Sequence, residues 1–518
     1  MRLQTRLSCL LTATLAAGST LFAQDPAAVE NSTPDWAELA SARLPGLEIC
    51  RRPNLEEPLL CGSFEVPEDR SLADGRTIAL NLVVVPAQRP TPPSDAVFIF
   101  EGGPGGAVTK RAVGSVYSGP VRQRDIVLVD QRGTGGSGSI DCDLGGGTTR
   151  DGELKQMFPP AEVAACVKEL SKRADLQRYT SVDHAADIEA VRKHLGYGPI
   201  NLRGGSYGTR AMMVYAQLYP ESTRTLFGIG VDSPLRSNLA ERGTRTEIAL
   251  AGLSSLCEQD ADCAALVPSL AGQLERLAAS LESVARRVEL ADPGRPGETL
   301  ALDIGRDWFT EQLRLNLYFA FTSRALPWAV HRATEGDWEP IVQMAVLIQR
   351  SFKSALSAGV VLTVQCSEHM DFDIDDALAT GEATLFGNYR LEQQLQGCAA
   401  WPHTTLPPLG VAEPEALPMP TLWLSGALDP VTPPAYAEDA MTYFPNSRHL
   451  VLPEGQHGPF DLENSWECVH SIWGQLIDLG SLDGLDASCS EAMRRPGFIL
   501  DRESFAKHLA EVLVPMAQ

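Results

Sequence analysis

Short, continuously apolar runs separated by glycine-rich loops and helical stretches mark the first 235 residues. Thr77–Val85, Ala96–Phe100, Ile126–Val129, Pro199–Arg203 and Thr225–Val231 predict strands. Runs apolar at nearly every position are covered on both faces, and their alternation with helical segments such as Ala185–Leu195 predicts a mostly parallel sheet. Two short apolar segments between Cys61 and Pro86, around Glu68-Asp69-Arg70, predict an antiparallel hairpin at a sheet edge. From 236 to 405 the pattern turns helical, with runs such as Leu274–Val288 and Trp308–Phe321 and little strand character. Strand patterns return at Thr421–Leu424 and Arg448–Leu452. The chain reads as an α/β protein with a mostly parallel central sheet, helices on both faces and an inserted helical cap. The core would span 24–235 and 406–518, and the cap 236–405.

Charge and cysteines narrow the setting. A formal net charge of -23 over 518 residues argues against nucleic acid and anionic membranes as partners, and no lysine/arginine-rich run opposes this. Arg2 and Arg6, the apolar and small stretch Leu7–Phe22 and the small-residue end at Ala23 read as an export signal over 1–23. No other stretch is apolar enough to span a bilayer. The mature chain is expected to be soluble and exported, periplasmic or extracellular. Cys9 lies in the signal, and ten cysteines remain. An even count in an exported chain favours disulfides. Sequence leaves connectivity open, and short separations make neighbours the simplest pairing: Cys50–Cys61, Cys142–Cys166, Cys257–Cys263, Cys366–Cys398 and Cys468–Cys489. C-x-x-C and H-E-x-x-H are absent, so neither a metal nor another cofactor is expected.

The chemistry centres on Gly204-Gly205-Ser206-Tyr207-Gly208, between a short strand and a helical stretch. That context turns a weak pentapeptide into a candidate nucleophile on a strained turn. A serine nucleophile needs a base, an orienting carboxylate and an oxyanion hole. Asp429 follows the strand Thr421–Leu424, and His457 follows Arg448–Leu452. Both therefore lie outside carboxyl ends of strands, where such sheets put their sites. Glu101-Gly102-Gly103-Pro104-Gly105-Gly106 follows another strand, so the Gly103 and Tyr207 N–H groups are the candidate oxyanion donors. His449 in a strand, His194 on a helix and His369 in the cap read as packing or surface residues. Ser137 is discounted because Ser139 stands where a second elbow glycine is needed. Asp130 and Arg132 read as a buried structural pair.

Together these residues resemble the α/β-hydrolase serine aminopeptidases related to proline iminopeptidase and tripeptidyl aminopeptidase. The marks are Gly102–Gly106, Val129–Gly135, Asn201–Arg210 and Ser425–Pro433, in that order. The resemblance implies the α/β-hydrolase fold, a triad of Ser206, Asp429 and His457, and Gly103 as oxyanion glycine. In two places the chain departs from the pattern. Glu101 stands where proline iminopeptidases commonly have histidine, and Gln456 lies between Gly455 and His457. The implied activity is that of an exported serine exopeptidase acting near peptide N-termini. An aminopeptidase must pair a partly desolvated ammonium with a carboxylate. Glu368, in a cysteine-plus-acid segment that resembles the tripeptidyl-aminopeptidase-like branch, is the candidate anchor, with Glu101 as alternative or second. An esterase or lipase on the same triad and a binding protein keeping a hydrolase shell are the competing readings. A carboxylate nucleophile, as in epoxide hydrolases, is disfavoured by the serine at the elbow. Oligomeric state is not legible.

Overall fold

The computed structural model describes residues 35–53, 55–142, 144 and 157–514, so the expected export signal lies outside the described residues. The strands are β1 (Leu47–Cys50), β2 (Leu59–Pro67), β3 (Thr77–Val85), β4 (Val97–Phe100), β5 (Ile126–Val129), β6 (Ile200–Gly205), β7 (Thr223–Ile229), β8 (Arg286–Ala291), β9 (Thr299–Ile304), β10 (Thr421–Gly426) and β11 (Ser447–Leu452). Among the described residues one large sheet has the order β1-β2-β3-β5-β4-β6-β7-β10-β11, and β8 pairs only with β9. From β5 to β11 all neighbours in this sheet are parallel. The hairpin β2–β3 is present, but β1 lies outside it and forms the true edge.

Alternation within the strands explains why they are apolar throughout. Val84, Phe98 and Val127 point into one apolar cluster with the helices Ser181–His194 and Tyr207–Leu218. Their chain neighbours Val83, Val97 and Leu128 point into a second, with the helix Ser465–Leu479. Both faces are thus dry, as a parallel sheet requires.

A third cluster, containing Leu253, Leu274, Leu313, Val330 and Val342, is the core of the cap. Here the structure corrects three expectations. The helix expected to reach Val288 ends at Ser280, and β8–β9 follow as an antiparallel hairpin. Val288 and Leu290 alternate with Arg287 and Glu289, a strand period set inside helical surroundings. The cap is also not one segment. Helix Ala358–Glu368 buries Val360, Leu362 and Val364 against the sheet's cluster, whereas Ile499, Phe505 and Leu513 join the cap's cluster. Finally, the run expected over Trp308–Phe321 breaks after Asn316 and resumes at Ala320. The intervening Leu317-Tyr318-Phe319 reaches the site described below.

The ten cysteines pair with their sequence neighbours: Cys50–Cys61, Cys142–Cys166, Cys257–Cys263, Cys366–Cys398 and Cys468–Cys489. Among the described residues no helix is long and apolar enough to cross a membrane.

Candidate active site

Strand order reverses at β4, which lies between β5 and β6, and this opens a crevice at the carboxyl ends of the strands. Ser206 leaves β6 with φ 54° and ψ -131°, a left-handed conformation that a non-glycine residue adopts only under constraint. Its backbone is pinned: the Ser206 N–H donates to the Ile229 carbonyl at 2.9 Å, and the Ser206 carbonyl accepts from the Thr209 N–H at 2.8 Å. The sharp turn presses the next helix onto β4. A Cβ at Gly208 would lie 2.2 Å from the Phe100 carbonyl oxygen, so only glycine fits.

His457 and Asp429 meet this serine from two other strand ends. His457 Nε2 stands 2.9 Å from Ser206 Oγ, and His457 Nδ1 stands 2.9 Å from Asp429 Oδ2. Asp429 is buried, and it accepts the Val431 and Thr432 N–H groups and the Thr432 hydroxyl at 2.7 to 2.9 Å. Burial opposes its charge, but His457 and the Thr432 bonds outweigh that and hold the carboxyl below its ordinary pKa. Thr432 also faces His457 Nδ1 at 3.1 Å. It was missed in the sequence, although a hydroxyl three residues after an aspartate at a turn is a recognisable signal.

The loop after β4 lies over the serine. A Cβ at Gly102 would stand 3.1 Å from Ser206 Cβ. Gly103 is the next residue of that loop. Tyr207 is the first residue of the helix after Ser206, where a backbone N–H has no intrahelical acceptor. From the cap, the His457 N–H donates to the Tyr318 carbonyl at 2.9 Å, and the two rings are 5.3 Å apart. Gln456 explains its own departure from the family pattern. Its side chain donates to the Leu317 carbonyl and accepts from the Ser323 hydroxyl, tying the histidine loop to the cap.

The structure corrects the role expected of Glu368. Its oxygens accept the Ser181 N–H and hydroxyl at 2.8 Å, and Arg210 Nε lies 3.4 Å away. Ser181 in turn meets the Tyr207 hydroxyl at 2.8 Å, and Gln131 donates to that hydroxyl at 3.1 Å. Glu368 is buried, and its carboxylate braces Ser181 and Arg210 behind the serine's helix. Burial raises its pKa against the opposing pull of Arg210 and Ser181. Glu368→Gln should therefore cost about 1–3 kcal/mol of stability by weakening buried bonds to a charged group. Turnover of free-amine and acylated substrates should fall together, as matched kcat/KM measurements would check. A loss confined to free-amine substrates would restore the anchor role.

Glu101 is placed differently, at the edge of the Gly102–Gly106 loop. Burial works against its charge, but Arg111 at 2.7 and 3.0 Å, the Gly102 N–H and nearby Arg203 hold its carboxyl below the usual range. Asp130 and Arg132 do not pair with each other as expected. Asp130 accepts from Thr109, Asn81 and Gly136, and Arg132 pairs with Asp187. His449 meets Ser425, and His194 packs on Phe64. His369 is buried, and burial pushes its pKa down to about 4.

A sheet with this topology and a serine, histidine and aspartate at its strand ends define the class: the chain is an α/β hydrolase of the serine-hydrolase type. Residues 95–246 match the family model described as alpha/beta hydrolase fold, and residues 383–489 match the one described as TAP-like protein. Within the class the chain resembles the tripeptidyl aminopeptidases. It is 23% identical to tripeptidyl aminopeptidase of Streptomyces coelicolor over 479 residues, covering 86% of this chain and 85% of the relative. It is 29% identical to serine protease Hip1 of Mycobacterium tuberculosis over 196 residues, 34% of this chain and 36% of the relative. A solved proline iminopeptidase of Mycobacterium smegmatis aligns over 81% of this chain and 98% of its own at 16% identity and a TM-score of 0.38.

Proposed function

We propose that the chain is an exported serine exopeptidase that removes residues or short peptides from peptide N-termini. The observation that carries the chemistry is the unbroken Asp429–His457–Ser206 hydrogen-bond chain at the crevice. Ser206 Oγ attacks the scissile carbonyl while His457 Nε2 takes its proton. Asp429 keeps the imidazole tautomer and stabilises the imidazolium. The N–H groups of Gly103 and Tyr207 receive the oxyanion. His457 then protonates the leaving amine, and water releases the acyl group by the same path in reverse. No cofactor enters this scheme.

The similarity to tripeptidyl aminopeptidases along most of the chain supports a peptide substrate, and the cap packed over His457 supports access limited to chain ends. Glu101 at the loop edge is the acid proposed for the substrate amine, which would share its carboxylate with Arg111. Five disulfides support an oxidising compartment, in line with the export signal expected over 1–23. The decisive experiment compares peptide p-nitroanilides with free and acetylated N-termini, alongside simple esters, on the purified mature chain. Free-amine peptides should be cleaved at least about tenfold faster in kcat/KM, the scale of one charge-assisted contact. Equal rates for free and acetylated peptides, with esters fastest, would replace this reading by an esterase.

A further inference from the structure

Behind Tyr318 the cap holds a second polar cluster that the triad chemistry does not use. A cavity is lined by Arg242, Glu311, Arg314 and Arg390, from the helices Arg242–Gln259, Arg306–Asn316 and Tyr389–Ala400. Glu311 is the acid among the described lining residues, against three guanidinium groups. Arg314 takes it as a bidentate partner at 2.6 and 2.8 Å. That pair is neutral, so Arg242 and Arg390 leave about two positive charges unbalanced.

Arg390 is the unusual member. Its side chain is nine-tenths buried and stands 3.9 Å from Glu311. Its Nε and Nη1 are buried and make no hydrogen bond. A guanidinium held this way is costly unless an acceptor completes it. Burial above all, and repulsion from Arg314, lower the pKa of Arg390. Burial and repulsion from Arg390 and Arg314 lower that of Arg242. Within reach of the positive charges lie Glu311 and, for Arg390, the face of the Phe158 ring at 5.2 Å, and among the described residues no second carboxylate lines the cavity.

The cluster is joined to the candidate active site by one residue. Arg314 Nη1 donates to the Tyr318 hydroxyl at 3.0 Å, and the Tyr318 ring packs on His457 at 5.3 Å between centroids. An ammonium would meet net repulsion there, so this cavity is not the amine site of the peptidase. We propose that it is a carboxylate-binding subsite for the substrate, in which Arg390 and Arg242 take a carboxylate oxygen each. The carboxylate is either an acidic side chain or the free C-terminus of a short peptide. The role rests on the peptidase reading above, and it adds a preference for acidic or short substrates. Arginine suits it because its planar fork matches a carboxylate and stays charged when desolvated.

The test uses matched peptides on the full mature chain. One arm compares glutamate with glutamine at each substrate position. The other compares the free C-terminal acid with its amide. In at least one arm the acid should be preferred about tenfold or more in kcat/KM, and Arg390→Met or Arg242→Met should bring that ratio towards one. The arm that responds identifies the source of the carboxylate. No acid preference in either arm, or a preference untouched by both variants, overturns the proposal. Protection of Ser206 in the unaltered chain from a fluorophosphonate probe gives a readout that needs neither variant folding nor peptide cleavage. N-acetylglutamate should protect better than N-acetylglutamine amide, which carries no carboxylate. If no peptide is cleaved but this difference stands, the peptidase reading fails and the subsite survives. Equal protection by the two overturns the subsite.

Discussion

Ser206→Ala and His457→Ala should each lower kcat/KM by roughly 10⁴–10⁶-fold, and the double variant should be little worse than either alone. The three residues act as one unit. Without Oγ there is no nucleophile, and without the imidazole there is no acceptor for its proton across the 2.9 Å contact. Asp429→Asn should lose less, because the imidazole stays in place while its tautomer and the support for its positive charge are lost. Neither loss should come from unfolding. The turn at Ser206 is held by backbone bonds to Ile229 and Thr209, so far-ultraviolet circular dichroism and the unfolding midpoint of Ser206→Ala should match the parent. A fluorophosphonate probe should label the parent and leave Ser206→Ala unlabelled. Near-normal turnover in Ser206→Ala would end the mechanism.

The largest effect on stability should come from Asp187. Its side chain is fully buried, and so is that of Arg132, which grips it at 2.7 Å through both Nε and Nη2. Arg70 adds a third contact at 2.5 Å, and Arg132 Nη1 donates to the carbonyls of Glu68 and Arg178 at 2.8 Å. One charge pair thus holds the loop after β5, the end of β2 and the helix Ser181–His194 together. Asp187→Ala leaves Arg132 buried with its principal counter-charge gone, which should cost about 3–5 kcal/mol. Arg132→Met with Asp187→Leu should recover much of that, since removing both charges also removes the desolvation they suffer. Urea midpoints of the three chains would check this, and a loss below about 1 kcal/mol for Asp187→Ala would show that the loop is held by other means. Activity should fall with stability in Asp187→Ala, because Gln131, next to Arg132, donates to the Tyr207 hydroxyl behind the nucleophile.

What could be read from the chain was whatever depends on close neighbours in sequence. β3, β4, β5 and β6 announced themselves by apolar runs. Ser206, Asp429 and His457 each sit in a loop whose glycines or turn residues follow a strand, and their order along the chain made one site of them. Pairing of neighbouring cysteines was the simplest of the connectivities the sequence left open, and it is the one the structure has. The tertiary structure decided what depends on distant partners. Glu368 looks like a free acid beside a cysteine, but Ser181 and Arg210 reach it from helices far away in sequence. Asp130 and Arg132, two residues apart, take different partners because successive side chains leave a loop in different directions. β8 and β9 formed inside helical surroundings, because the cap core offered Val288, Leu290, Leu300 and Leu302 an apolar face. The final helical turns near Phe505 joined the cap because that was where their apolar side chains could be buried. A side chain's role is set by the groups that surround it, and only folding brings those groups together.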